Sequence, residues 1–227
     1  GVPYIQIPTT LLAQIDSSVG GKTGVDLEMG KNLAGIFNQP KAVIIDPLVL
    51  KTLSKKIFAD GMAEAIKYGC IRDRKLFYDI LNDTNEVNLK NMISTCVNIK
   101  KDVVEADEFD KGERMLLNFG HTIGHAIEKC GGFTEYSHGE AISVGMIIAS
   151  KLGESIGLTE KGTGDIITKV LQKYNLPTTH NYKKEDILSA LLNDKKRDGD
   201  EINLILLKNI GESFIYKLPV RELEKML

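Results

Sequence analysis

Residues 141–156, AISVGMIIASKLGESI, are apolar on nearly every side of a helix, with Gly145 and Gly153 as the breaks. A helix of that kind cannot lie on a surface and has to be enclosed by other elements. No apolar run in the chain approaches the roughly 18 residues that a membrane span needs. The enclosing partners must therefore come from the chain itself, and amphipathic helical patterning is plentiful. It begins near Phe58 and covers 61–70, 73–81, 89–105, 114–128, 165–174 and 185–194. After the charged turn DKKRDGD, residues 202–207 read as a strand that 214–218 can pair with, and 220–227 as a short terminal helix.

Residues 1–53 follow a different pattern. Positions 2–8 alternate and favour a strand, and 11–16 are apolar. Positions 17–24 (SSVGGKTG) form a glycine-rich loop, and 42–45 read as a short buried strand closed by Asp46-Pro47. This is the tail of an α/β unit. A chain that opens with a strand already under way is expected to continue a sheet begun upstream, and open strand edges there predict aggregation or rearrangement.

The composition, 42% hydrophobic in 227 residues, supports one good core or two modest ones. A net charge of -2 argues against a general nucleic-acid binder, which would carry a strongly basic face. The clusters Lys55-Lys56, Lys100-Lys101, Lys183-Lys184 and Lys195-Lys196-Arg197 read as solvated helix ends. Three widely spaced cysteines, Cys70, Cys96 and Cys130, without a CxxC pattern or a secretory leader, point to reduced thiols and a cytoplasmic setting.

Three of the four histidines fall close together. His121 and His125 lie four residues apart on a helix, so they project from one face, separated by roughly 40°. Gly131-Gly132 should end that helix, and Ser137 with Glu140 makes a capping box for the next, which puts His138 in its first turn. A single buried imidazole is more often a hydrogen-bonded core residue than a ligand. Three together need partners, and they suggest a metal or proton-transfer site. Glu64 and Lys67 share one face of an otherwise apolar helix, so Glu64 is either a salt-bridge partner or a metal ligand. The GGKTG segment is not a P-loop, because the first glycine of that motif would fall on Asp16. Its backbone N–H groups and Lys22 could still hold a phosphate, or the segment is an ordinary tight loop. His180, after Pro177, reads as a surface residue.

Taken together, IPTTLLAQIDSSVGGKTGVD, GKNLAGIFNQP, DGMAEAIKYG, KKDVVEADE, RMLLNFGHTIGHAIE, SHGEA and DKKRDGD closely resemble, in this order, the 3-dehydroquinate synthases of the sugar-phosphate cyclase superfamily. GHTIGHA with SHGEA is specific to the superfamily, and Arg114 and Asn118 favour this member. The resemblance implies an α/β remnant of a Rossmann-like NAD domain over residues 1–53. A mainly α-helical metal- and substrate-binding domain would follow over 54–227. It also implies that Glu64, His121 and His138 ligate a divalent metal, zinc or cobalt, with His125 as an acid/base residue beside it. Asp110 stands where the family usually has a glutamate proposed as a proton acceptor. Asp16, Lys22, Asn32, Lys67, Lys100, Arg114, Asn118 and Lys196 would surround a phosphorylated keto-acid sugar, with Lys67 and Lys100 in catalytic roles. Thr9, Thr10, Lys31 and Thr52 would lie near NAD.

The reaction implied is conversion of 3-deoxy-arabino-heptulosonate 7-phosphate to 3-dehydroquinate and phosphate, by a homodimer in the full-length enzyme, with no nucleic-acid or membrane partner. The family's glycine-rich pyrophosphate turn does not occur here. The chain is therefore expected to be the carboxy-terminal two-thirds of such an enzyme, without NAD affinity or turnover alone. The alternatives are another cyclase (an inosose or valiolone synthase), a metal-dependent polyol dehydrogenase, or a non-catalytic binding or dimerisation module.

Overall fold

The computed structural model describes residues 2–27, 30–83, 88–110, 112–195, 201–219 and 222–223, and of 26–27, 30–33 and 192–195 the backbone alone. The helices are α1 (Lys55–Ile71), α2 (Arg74–Asn82), α3 (Leu89–Ala106), α4 (His121–Cys130), α5 (His138–Ser155), α6 (Thr163–Lys173) and α7 (Lys184–Lys195). Polar residues start the first three: Ser54 Oγ accepts the Ile57 N–H at 3.3 Å, Asp73 that of Leu76 at 2.9 Å, and Asn88 that of Asn91 at 3.2 Å.

The centre is α5, as its apolar circumference requires. It is buried without interruption from Ala141 to Ile147, and α1, α4 and α6 pack around it. Its buried hydroxyls bond back to the preceding turn, Ser143 to the Gly139 carbonyl at 2.6 Å and Ser150 to that of Met146 at 2.8 Å. Gly145 does not break the helix. A Cβ there would lie 2.1 Å from the Gly120 carbonyl oxygen and 2.9 Å from the Gly124 nitrogen, so the glycine marks where α5 meets the start of α4.

The single helix expected over 114–128 is two elements. Glu113–Asn118 forms a 3₁₀ turn, Gly120 takes φ 78°, and only then does α4 begin. A left-handed residue cannot continue a right-handed helix, so the chain changes direction just before His121.

The strands are β1 (Ile5–Gln6), β2 (Val25–Leu27), β3 (Gly30–Ala34), β4 (Ala42–Val43), β5 (Glu201–Asn209) and β6 (Glu212–Pro219). The expected pairing of the last two holds: β5 and β6 are antiparallel from Glu201 opposite Pro219 to Asn209 opposite Glu212. β2 and β3 form an antiparallel pair that the sequence reading did not anticipate. Of the strand expected over 2–8, only β1 pairs, parallel to β4 with Ile5 opposite Ala42. The strand read as buried over 42–45 is shorter and open, with Ile44 54% exposed. A two-stranded ladder covers neither of its faces, which also leaves Ile5 and Ile7 in solvent. Backbone amides of residues 2–7 are accordingly expected to exchange with solvent within about tenfold of the unfolded rate. Protection there comparable to α5 would contradict this.

Between these strands and the helices, Ala13–Ser17 forms a π-helical turn. Leu11, Ile15 and Leu50 are buried in the same apolar core as the helices. The three cysteines are free thiols, and among the described residues no helix is long and apolar enough to cross a membrane.

Candidate metal and substrate site

Three helices bring their chemistry to one point. α1 carries Glu64, fully buried; α4 opens on His121 and α5 on His138. Glu64 Oε1 lies 3.3 Å from Nε2 of both His121 and His138. Glu64 Oε2 pairs with the Lys67 ammonium, which is 1% exposed.

The helix starts set this geometry. The expected capping box is present at α5, where Glu140 accepts the Ser137 N–H at 2.8 Å. Ser137 Oγ donates to Asp60 Oδ1 at 2.6 Å, one turn before Glu64 on α1. A Cβ on Gly139 would come within 2.6 Å of the Asp60 Cα, so a larger residue would force the two helices apart. His138 is thereby set over Glu64. His121 Nδ1 is 3.1 Å from the Phe119 carbonyl oxygen. A carbonyl only accepts, so Nδ1 carries the hydrogen and Nε2 is the ring atom turned to Glu64. On the other side of His138, Nδ1 lies 3.6 Å from Glu128 Oε1.

The local electrostatics follow from burial opposed by charge. Burial raises the Glu64 carboxyl pKa, but Lys67 and His121 outweigh it and hold the group well below the usual carboxylate range. Burial lowers the His138 pKa, and the carboxylates of Glu128 and Glu64 reverse this and push it up to about 10. Lys67 is disfavoured by burial and kept charged by Glu64 and Asp16.

A second charged group lies alongside. Asp16, on the π turn, accepts from Lys100 and, at 2.8 Å, from the Tyr68 hydroxyl. The Lys100 ammonium also donates to the Asp16 carbonyl at 2.6 Å. Burial pushes the Lys100 pKa down despite Asp16. A cavity of about 620 Å³ opens here, lined by Asp16, Lys22, Lys100, Arg114 and His121 among others. A second, of about 270 Å³, is lined by Asn118, His121, Thr122, His125 and Asn203 among others. His121 lines both. The His125 ring lies 5.4 Å from that of His121 and 6.0 Å from that of His138.

Other candidate residues are placed less centrally. Asp110 pairs with Lys22 at the glycine-rich loop. Arg114 donates to the carbonyls of Glu108 at 2.6 Å and Gly20 at 2.9 Å, with its guanidinium over the Phe37 ring. Thr9, Thr10 and Thr52 line neither cavity. The Thr10 hydroxyl accepts from the Ala13 N–H, and that of Thr52 donates to the Val49 carbonyl. Lys31 and Asn32 lie on β3 with side chains outside the described residues, as is the whole of Lys196. His180 is half-buried and stacks on Tyr182.

Sequence reasoning missed Tyr68, Asp60 and Glu128. A carboxylate three residues after His125 in an apolar helix was a usable signal for Glu128. Nothing local distinguishes Tyr68 from a core aromatic.

Solved structures of two synthases share this architecture. One is a 2-deoxy-scyllo-inosose synthase complexed with carbaglucose-6-phosphate, NAD+ and Co2+. It is 31% identical with a TM-score of 0.86, over 100% of this chain and 66% of that one. Another is a 2-epi-5-epi-valiolone synthase from Streptomyces hygroscopicus with NAD+ and Zn2+ bound. It is 26% identical with a TM-score of 0.87, over 99% and 65%. The fold class expected from the sequence therefore holds. Residues 61–197 match the model of the 3-dehydroquinate synthase C-terminal family, and residues 1–60 that of its N-terminal family. The chain belongs to the 3-dehydroquinate synthase family. It is 52% identical to the 3-dehydroquinate synthase of Clostridium acetobutylicum, covering 100% of this chain and 65% of that protein. It is 44% identical to that of Enterococcus faecalis, again over 100% and 65%. The chain thus spans just under two thirds of the length of these relatives.

Proposed function

We propose that this chain is the metal- and substrate-binding part of a 3-dehydroquinate synthase that converts 3-deoxy-arabino-heptulosonate 7-phosphate to 3-dehydroquinate and phosphate. The observation that carries the reading is the buried Glu64 carboxylate, 3.3 Å from Nε2 of two histidines beside a lysine-lined cavity. The donor set fits a divalent ion. Neither Glu64 oxygen has a hydrogen bond of good geometry, and Glu64, His121 and His138 each offer an atom within 4.8 Å of the others. Glu64, His121 and His138 would hold Zn2+ or Co2+, which when bound polarises substrate oxygens and leaves positions open for them. NAD, beside Thr9, Thr10, Lys31 and Thr52, would supply reversible oxidation of a ring hydroxyl.

The remaining residues bind, orient and move protons. Lys22, Lys67, Lys100, Arg114 and Lys196 supply the positive charge that holds phosphate and carboxylate, while Asn32 and Asn118 orient hydroxyls. Asp16 holds the Lys100 ammonium in place from two acceptor atoms. His125, exposed on the smaller cavity, exchanges a proton with the substrate. Asp110 is assigned its proton-accepting role through family position; its contact with Lys22 instead favours fixing the loop that holds phosphate. A division into an α/β part over 1–53 and a helical part over 54–227, a homodimeric assembly and a cytoplasmic setting belong to the same proposal.

Two measurements test it. Adding Zn2+ to the chain should raise its melting temperature, by several degrees at about 100 times the dissociation constant, and chelation should reverse the gain. A folded chain that takes up no zinc would favour a non-catalytic module. Phosphate release should be assayed with NAD and Zn2+ in a protein uniting this chain with the portion its relatives carry beyond it. Release from the heptulosonate phosphate supports the reading. None, with turnover of another sugar phosphate, would place the chain with the inosose-type cyclases.

A further inference from the structure

We propose that Glu128 is the positioning residue of His138, holding the hydrogen on Nδ1 so that Nε2 is fixed as the lone-pair atom facing Glu64 and the bound ion. The inference rests on the metal reading above and concerns a residue that reading does not use.

An imidazole that ligates through one nitrogen must carry its hydrogen on the other, and that hydrogen needs an acceptor. For His121 the acceptor is the Phe119 carbonyl at 3.1 Å. For His138 the group on that side is the Glu128 carboxylate, with Oε1 3.6 Å from Nδ1 while Nε2 stands 3.3 Å from Glu64. At 3.6 Å the two groups stand at ion-pair separation, and the proposal requires this contact to close to a direct hydrogen bond when the ion is bound. The two imidazoles are therefore not equivalent. A carboxylate acceptor makes the opposite nitrogen a stronger donor to a metal than a carbonyl does, and it also fixes ring orientation.

Burial supports the assignment. Glu128 is 4% exposed on the inner face of α4, flanked by Ile127, where an ionised carboxylate is costly without a specific partner. His138 opens α5, so Glu128 ties the two helices together at the atom that decides the tautomer. The competing assignment comes from the same neighbourhood. His125, Glu128 and His138 also offer atoms within 4.8 Å of one another, which would make Glu128 a ligand of a second ion.

The test is zinc competition against a chromophoric chelator, with Co2+ absorption spectra, on the unaltered chain, Glu128→Gln and Glu128→Asp. The expected result is one ion per chain throughout. Affinity should fall about 10- to 100-fold in Glu128→Gln, with partial recovery in Glu128→Asp, a shifted cobalt spectrum and unchanged circular dichroism. Equal affinity in a folded Glu128→Gln overturns the proposal. So does binding of two ions with the second lost in Glu128→Gln. If Glu128→Gln does not fold, ¹⁵N spectra of the histidine rings in the unaltered zinc-loaded chain decide. A hydrogen on His138 Nδ1 supports the proposal, and one on Nε2 overturns it. Failure of the unaltered chain to bind zinc would instead defeat the metal reading itself.

Discussion

Glu64→Ala is expected to abolish zinc binding at micromolar concentration and to lower the stability of the chain by about 3–5 kcal/mol, because it leaves the Lys67 ammonium buried without its carboxylate. The stability loss does not mean that the pair is a strong stabiliser. Taking both charges out of water cost much of what their attraction returns. Glu64→Leu combined with Lys67→Met should therefore recover stability to within about 1–2 kcal/mol of the parent while zinc binding stays lost. Asp16 tolerates the loss of Lys67, since Lys100 and Tyr68 still satisfy it. Urea unfolding of the metal-free proteins, with a zinc titration of each, checks both halves. A single variant within about 1 kcal/mol of the parent would show that Lys67 finds other compensation.

The second large effect lies away from any charge. Gly145→Ala places a methyl 2.1 Å from the Gly120 carbonyl oxygen and 2.9 Å from the Gly124 nitrogen, and backbone on both sides cannot move aside as a side chain can. A loss of about 3 kcal/mol is expected. Zinc affinity should fall as well, since α4 and α5 carry His121 and His138 and must separate to admit the methyl. Gly164→Ala is the control. Its methyl would meet only side chains, Lys151 with Cγ at 2.9 Å and Glu154 with Oε1 at 3.4 Å, which can shift where backbone cannot, and alanine gains up to about 1 kcal/mol of helix propensity. Thermal melts should show the first variant well below the parent and the second level with it or above. Equal melts for Gly145→Ala and the parent would mean that the helices are not held so closely.

The helical part was legible because periodicity carries local information. The apolar circumference of 141–156 demanded a central helix, and the Ser137–Glu140 box marked where α5 begins. What the sequence hid were contacts between distant segments. Glu64 could be a salt-bridge partner or a ligand on spacing alone. In the structure it meets Lys67 on its own helix and two histidines more than fifty residues away. The turn at Gly120 was missed because an apolar run through RMLLNFGHTIGH keeps a helical period even where a left-handed glycine breaks the backbone. The strands of 1–53 were overread, since alternation signals a strand but not the neighbours needed to extend it.

The π turn at Ala13–Ser17 has a mechanical consequence. Gln14, fully buried, donates to the carbonyls of Pro8 at 3.2 Å and Asp46 at 2.8 Å, so it is fastened to the chain next to β1 and β4. Two residues later Asp16 is fastened to Lys100 on α3 and Tyr68 on α1. One short turn therefore fastens the chain beside β1 and β4 and the helices α1 and α3 at adjacent points. The position of the Asp16 carboxylate, and with it that of the Lys100 ammonium lining the larger cavity, is thus tied to the strands through two residues of backbone.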